Sequence, residues 1–274
     1  MQPKQIDVRP TSPRWPVLTA VLVLLAVLTW LFFALLPPSS ILGKADVVGY
    51  GICHRIPERS FFLNGHQLPL CARCTGTFLG VVVGLTALLL LRRGRASGMP
   101  PISVLAILVM FTALWAFDGL NSYLTFFPGA PHLYEPQNWL RLTTGMLNGI
   151  TLLAFAFPIF NFTLWREPSQ ERVIKSLWEL VALLPVLALL TWIIQAQIGF
   201  LLYPLAILSS LGVLLMLTII NSMIAAVVLR REGYAQTWLQ ALTPLTIGAA
   251  LAILEITGMV LLRAYLTIAW GLPF

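Results

Sequence analysis

The sequence predicts an all-α fold: a polytopic transmembrane helical bundle of about seven spans with the amino terminus in the cytoplasm. Of its 274 residues, 58% are hydrophobic and only 10% charged, whereas a soluble domain carries about 25% charged residues. Mean hydropathy is +0.88. Apolar runs long enough to cross about 30 Å of hydrocarbon recur from one end of the chain to the other.

The spans are expected at about 17–36, 76–91, 101–120, 142–163, 176–197, 199–222 and 239–262. The first run follows a polar tail, 1–16, holding Lys4, Arg9 and Arg14, and so has the outline of a signal peptide. Its length, and the lack of a small-x-small cleavage site, favour a retained anchor. The division near Gln195, Gln197 and Gly199 is the least marked; without it there would be six spans and the carboxyl terminus would change sides. Residues 17–163 form a four-helix region with a loop at 37–75, and 164–274 add further transmembrane helices. Gly80 and Gly84 have the Gly-x3-Gly spacing of closely packed helices.

Basic residues set the orientation. Eleven lysines and arginines fall in segments assigned to the cytoplasm, among them Lys4, Arg92, Arg93 and Arg95, against six on the other side. This asymmetry follows the positive-inside rule. The net charge of +7 is therefore an orientation signal, and no nucleic-acid partner is expected. The expected location is the cell membrane, with loop 37–75 on the extracytoplasmic face.

That loop and the start of the following span contain all three cysteines, Cys53, Cys71 and Cys74. The loop is too short for a hydrophobic core of its own, so it is expected to pack on the bundle, held by cross-links or a metal. Cys71-x2-Cys74 brings two sulfurs together, and Cys53 must return through the loop to join them. His66 or His54 would complete a site of three cysteines and one histidine. The spacing Cys-x12-His-x4-Cys-x2-Cys favours His66. Zinc suits such a donor set because it is borderline-soft and accepts four tetrahedral ligands. Two alternatives stay open: a disulfide that staples the loop, and a redox-active Cys71/Cys74 pair at a helix start, where amide dipoles favour the thiolate.

Polar residues gather at the same membrane face. Asp118 and Asn121 end the third span, and Arg141 with Thr144 and Asn148 opens the fourth along one helix face. Asp118 and Arg141 are the expected ion pair. Glu255 lies in the outer half of the last span, where a carboxylate must pair, protonate or meet water; Arg141 is a candidate partner, and a proton or cation path is the other reading. Arg55, Arg59 and Arg73 stand around the cysteines and suit a phosphate, carboxylate or lipid head group. No phosphate-binding Gly-rich loop, dinucleotide fingerprint, His-Glu-x-x-His or Gly-x-Ser-x-Gly is present.

Cys53-His54, Arg59-Ser60-Phe61, Gly65, the run from Leu68 through Cys71-Ala72-Arg73-Cys74-Thr75-Gly76, and Gly80 resemble a family of bacterial and archaeal membrane proteins classed as a domain of unknown function. Asp118, Asn121, Arg141-Leu142 and Thr144-Gly145 resemble its weaker later elements. The resemblance covers about residues 45–150 and implies a membrane location without a substrate or mechanism. It also makes His54 a signature element beside Cys53, which tempers the spacing argument for His66.

These readings combine into an expected zinc-binding Cys/His loop over a polar cavity. Arg55, Arg59, Arg73, Asp118, Asn121, Arg141 and Glu255 would bind or tune an anionic small molecule or lipid. The alternatives are a thiol oxidoreductase using Cys71 and Cys74, and a structural subunit associated with other membrane proteins.

Overall fold

The computed structural model describes residues 15–271. Lys4, Arg9 and Arg14, and with them nearly all of the tail 1–16, lie outside the described residues. Among the described residues eight helices follow one another: α1 Trp15–Leu35, α2 Ile41–Ile52, α3 Ala72–Leu90, α4 Ile102–Leu124, α5 Asn138–Leu164, α6 Leu177–Gln195, α7 Leu202–Val228 and α8 Trp238–Trp270. Six of these described segments, corresponding to α3 through α8, are long and apolar enough to cross a membrane, and α1 is a further apolar helix. The break after Gln195 is present, made by Gln197 at φ +51° and a short 3-10 turn, Gly199–Leu201.

Successive long helices alternate in direction, so the starts of α3, α5 and α7 share a face with the ends of α4, α6 and α8. The cysteine loop lies on that face. Within the expected loop 37–75 it contains a twelve-residue helix, too short and polar to register as an apolar run: α2 opens at Ser40, whose side chain accepts from the Gly43 amide at 3.0 Å. Such a cap contributes about 1 kcal/mol. A hairpin follows, with β1 Phe62–Leu63 paired to β2 His66–Gln67. Its turn residues Asn64 and Gly65 both have positive φ, 52° and 73°, the backbone sense that matches strand twist in tight hairpins.

The most extensively packed helix pair is α3 and α5. A Cβ on Gly76 would stand 2.1 Å from the Leu142 carbonyl oxygen, and one on Gly149 would stand 1.9 Å from that of Thr77. With Gly80 and Gly145 in the same contact, the two backbones touch over two turns, as small residues allow in membranes. The expected Gly80/Gly84 packing surface therefore exists, extended by Gly76 and answered from α5.

On the opposite face, β3 Ala96–Gly98 pairs in parallel with β4 Ser169–Arg172. Arg93, only 6% exposed, makes two 2.7 Å bonds to Glu179. Buried Asn161 donates to the Ala96 carbonyl at 2.8 Å and accepts from the Trp165 indole at 3.0 Å. These contacts close the bundle opposite the cysteines.

Candidate metal centre

The chain brings the three thiols together from two directions. Cys53 ends α2, Cys71 caps the start of α3, and Cys74 lies in the first turn of α3. A close approach positions the first of these: a Cβ on Gly49 would fall 1.9 Å from the Pro69 carbonyl oxygen, so only glycine lets α2 lie against the segment leading into Cys71. The end of α2 is then held from the last helix. Arg263 of α8 donates to the Cys53 carbonyl at 2.6 Å and to that of Tyr50, and its guanidinium lies over the Tyr50 ring. A cation on the free carbonyls of a helix end satisfies both their lone pairs and the helix dipole.

The three Sγ atoms all lie within 4.8 Å of one another; among the described residues these cysteines alone form such a metal-capable group. All three are free thiols. Val48, Leu70, Val213 and Ile256 pack around them, so Cys53 and Cys71 are buried in an apolar wall. The Cys71 amide donates to Cys53 Sγ at 3.2 Å. Hydrogen bonds from the Cys71 and Cys74 thiols hold Cys53 well below the usual thiol range, and the bond to Cys53 pushes Cys71 above it. Of Cys53 and Cys71, Cys53 is thus the readier to give up its proton, because the hydrogen bonds it accepts stabilise its anion in a dry site.

The histidines stand outside the three-sulfur group. His66 Nε2 is 3.2 Å from an Asp46 carboxylate oxygen, and Asp46 also accepts from Arg55 at 2.7 Å. His54 Nδ1 accepts the Ile56 amide at 3.0 Å. Although His54 is exposed, desolvation lowers its pKa; Cys53 pulls it up, and Arg59, Arg73 and Arg141 push it down. Asp46, which organises both His66 and Arg55, escaped the sequence reading. A lone acid in an apparent loop gave no periodic signal, because α2 itself was missed.

Beside the thiols is a polar layer with a pairing that corrects the expected one. Asp118 is 1% exposed and binds Arg73 Nη2 at 2.6 Å, not Arg141. Arg73 leaves the first turn of α3 next to Cys74, and the glycine contact between α3 and α5 leaves it facing α4. The Tyr134 hydroxyl also donates to Asp118, at 2.8 Å; desolvation first, then that carboxylate, pushes the phenol up to about 12. Arg141 instead donates to Ser122 Oγ at 2.7 Å and to Asn138 Oδ1 at 2.7 Å. Arg59 reaches the Ser122 carbonyl at 2.8 Å and lies over the Phe126 ring. Asn121 ties down the 121–140 loop through the Leu133 amide and the Tyr134 carbonyl, at 2.7 and 2.9 Å.

Glu255 meets neither Arg141 nor Arg263. It accepts from Asn221 of α7 at 2.9 Å, because Arg263 turns away to the end of α2. A polar cavity of about 540 Å³ does open on the cysteine-bearing face, lined by Glu58, Phe61, Pro136, Gln137, Asn138, Trp139, Gln195 and Gln197. No residue expected to bind ligand lines it. Asn138 is the link, joining its wall to Arg141 and, through bonds of 3.2 and 3.3 Å, to the Glu58 and Ser60 carbonyls.

With this geometry in place, the comparisons bear on the same segment. The family model described as Predicted membrane protein (DUF2085) matches residues 53–155, from Cys53 to the middle of α5. An uncharacterized protein of Methanocaldococcus jannaschii is 34% identical over 116 residues, 42% of this chain and 68% of that protein. An uncharacterized protein of Methanothermobacter thermautotrophicus is 35% identical over 101 residues, 37% and 80% of the two chains. No solved structure matches. The chain belongs to the DUF2085 family, and it is a multi-pass membrane protein. Asn221, Glu255 and Arg263 lie beyond the matched segment.

Proposed function

We propose that this chain is a membrane metal-thiolate protein in which Cys53, Cys71 and Cys74 hold one ion, zinc by ligand type, on the extracytoplasmic side. In this reading the centre fastens the cysteine loop to the bundle, and the basic residues beside it bind a small anion or an anionic lipid head group. The supporting observation is the mutual approach of three sulfurs within 4.8 Å. Zinc–sulfur bonds of about 2.3 Å in a tetrahedron put sulfurs about 3.8 Å apart, so small adjustments suffice. A staple would join two sulfurs and leave the third without a role. His54 or His66 supplies the fourth donor, or an exogenous ligand takes that position.

Charge supports the anion. Arg55 and Arg73 are matched by Asp46 and Asp118. The acceptors of Arg59 and Arg141 are neutral groups of Ser122, Thr125 and Asn138. Two guanidiniums therefore keep their full charge next to the thiols, where they favour thiolates and suit an oxyanion.

The second reading has its own observation, the thiols of Cys71 and Cys74 side by side at a helix start. As an oxidoreductase, the pair would form a disulfide and pass two electrons and two protons to a membrane quinone.

Elemental mass spectrometry and thiol counting on anaerobically purified protein separate the readings. About one zinc per chain, lost in Cys53→Ser, Cys71→Ser and Cys74→Ser, is the expected result. Absence of metal together with a reversible Cys71–Cys74 disulfide would overturn it. Phosphate binding to the zinc-loaded protein, weakened by Arg59→Gln at unchanged zinc content, tests the anion; equal binding by the variant removes that part.

A further inference from the structure

Glu255 is the residue whose position demands the most explanation. It lies near the middle of the 33-residue helix α8, whose ends carry Trp238 and Trp270, residues that favour the two membrane interfaces. Arg263, which reaches the cysteine-bearing face, is eight positions further on, about 12 Å along the axis. Glu255 is therefore at mid-depth, where a helix has hydrocarbon outside it.

The side chain is also on the outer surface. Glu255 is exposed, as are Leu254, Met259 and Leu262 around it. Gly258, one turn on, leaves open space: a Cβ there would meet nothing within 4 Å. Among the described residues the carboxyl has one hydrogen bond, from Asn221 Nδ2 at 2.9 Å, and no ion pair. Neither α1 nor α7, the long helices packed on α8, contributes Asp, Glu, His, Lys or Arg; α7 has only Tyr203, at its far end. From α2, also packed on α8, Lys44 and Asp46 are engaged elsewhere, with the Phe33 and Leu36 carbonyls and with Arg55 and His66. The other ionisable groups of α8 are Arg263, which is bound to the end of α2, and the exposed phenol Tyr265, while Tyr50 of α2 lies against the Arg263 guanidinium.

A carboxylate facing hydrocarbon without a cation is expensive, and membrane proteins keep such groups where protons or ions bind. We propose that Glu255 is a proton-binding site opening to the lipid at mid-membrane, its carboxyl carrying the proton and held in one orientation by the Asn221 amide. Asn221 is a positioning residue here: it donates to the carbonyl oxygen of the acid, leaving the O–H directed to the open side beside Gly258. This site is separate from the thiol centre and stands whether or not a metal binds there.

A membrane-soluble carbodiimide tests the assignment, because it reacts with a protonated carboxyl. The acid proton moves to one carbodiimide nitrogen, the carboxyl oxygen adds to the central carbon, and acyl migration to nitrogen gives a stable N-acylurea with no leaving group. Full-length protein in phosphatidylcholine vesicles is treated with dicyclohexylcarbodiimide and digested for peptide mass spectrometry. The expected result is one adduct per chain on Glu255, absent in Glu255→Gln, with slower labelling in Asn221→Leu. Infrared spectra should show a protonated-carboxyl carbonyl band that Glu255→Gln removes. Labelling at Glu58 and Glu135 but not at Glu255, or no Glu255-dependent band, would overturn the proposal by showing that the carboxyl is ionised or covered by a partner.

Discussion

Replacing Gly149 by alanine tests the architecture that carries the thiol centre. The added methyl would lie 1.9 Å from the Thr77 carbonyl oxygen and 2.9 Å from the Val81 nitrogen, both backbone atoms, where ordinary contact begins at 3.4 Å. Backbone cannot swing aside as a side chain can, so α3 and α5 must draw apart by about 1.5 Å. Overpacking of this kind costs about 1–3 kcal/mol, and a backbone obstacle puts the cost at the upper end. Alanine also gains about 1 kcal/mol over glycine inside a helix, leaving a net loss of about 1–2 kcal/mol. Gly258→Ala is the control, since its methyl meets nothing within 4 Å and retains only the helix gain. The two variants should therefore differ by about 2–3 kcal/mol in reversible detergent unfolding followed by circular dichroism. Separation of the helices should also make Cys74 react faster with a water-soluble maleimide, because Gly76 and Gly145 hold the first turn of α3 against α5. Equal unfolding midpoints for Gly149→Ala and Gly258→Ala would refute the backbone contact and the placement of Arg73 and Cys74 that depends on it.

Arg73→Ala leaves Asp118 buried with Tyr134 as its remaining partner, so it should lose about 3–5 kcal/mol, and adding Asp118→Asn should recover part of that; additive losses in the double-mutant cycle would show that the pair is not coupled. Reduced, metal-free protein should show ultraviolet thiolate absorbance at neutral pH that Cys53→Ser abolishes. Because the Cys53 pKa is depressed on folding, its stabilising contribution is present above the ordinary thiol range and is lost as pH falls through its folded value; absence of a Cys53-dependent thiolate signal at pH 7 would refute that depression. His132 has its pKa raised chiefly by the hydrogen bond to Glu135, 2.9 Å away, so its contribution is complete below about 6.5 and fades as pH rises through the folded value. An NMR titration should show that elevation and its loss in Glu135→Gln; an unchanged midpoint in the variant would break the link.

The legibility of this chain varies with the range of the interaction. Helix positions were readable because hydrocarbon imposes length and apolarity on each segment independently, and even the break at Gln195–Gly199 announced itself in local polar residues. The convergence of Cys53 on Cys71 and Cys74 was readable too, since a short loop joins them. The helix α2 was not, because its twelve residues mix Lys44 and Asp46 with apolar positions and are too few to span a membrane. The pairing of Asp118 failed for a different reason: Arg141 is nearer in sequence, but Arg73 is brought to Asp118 by the rotation of α3, which is set by glycine contacts with α5.

By itself, then, the sequence determined a multi-pass all-α bundle and a three-cysteine cluster beside a polar membrane face, since composition, run length and loop length act locally. The tertiary structure decided the partners: Arg73 for Asp118, Asp46 for His66, Asn221 for Glu255, and Arg263 for the end of α2. Each choice depends on how a helix is rotated and which neighbour it packs against. That rotation is fixed by side chains far apart in the chain, and no short stretch of residues contains it.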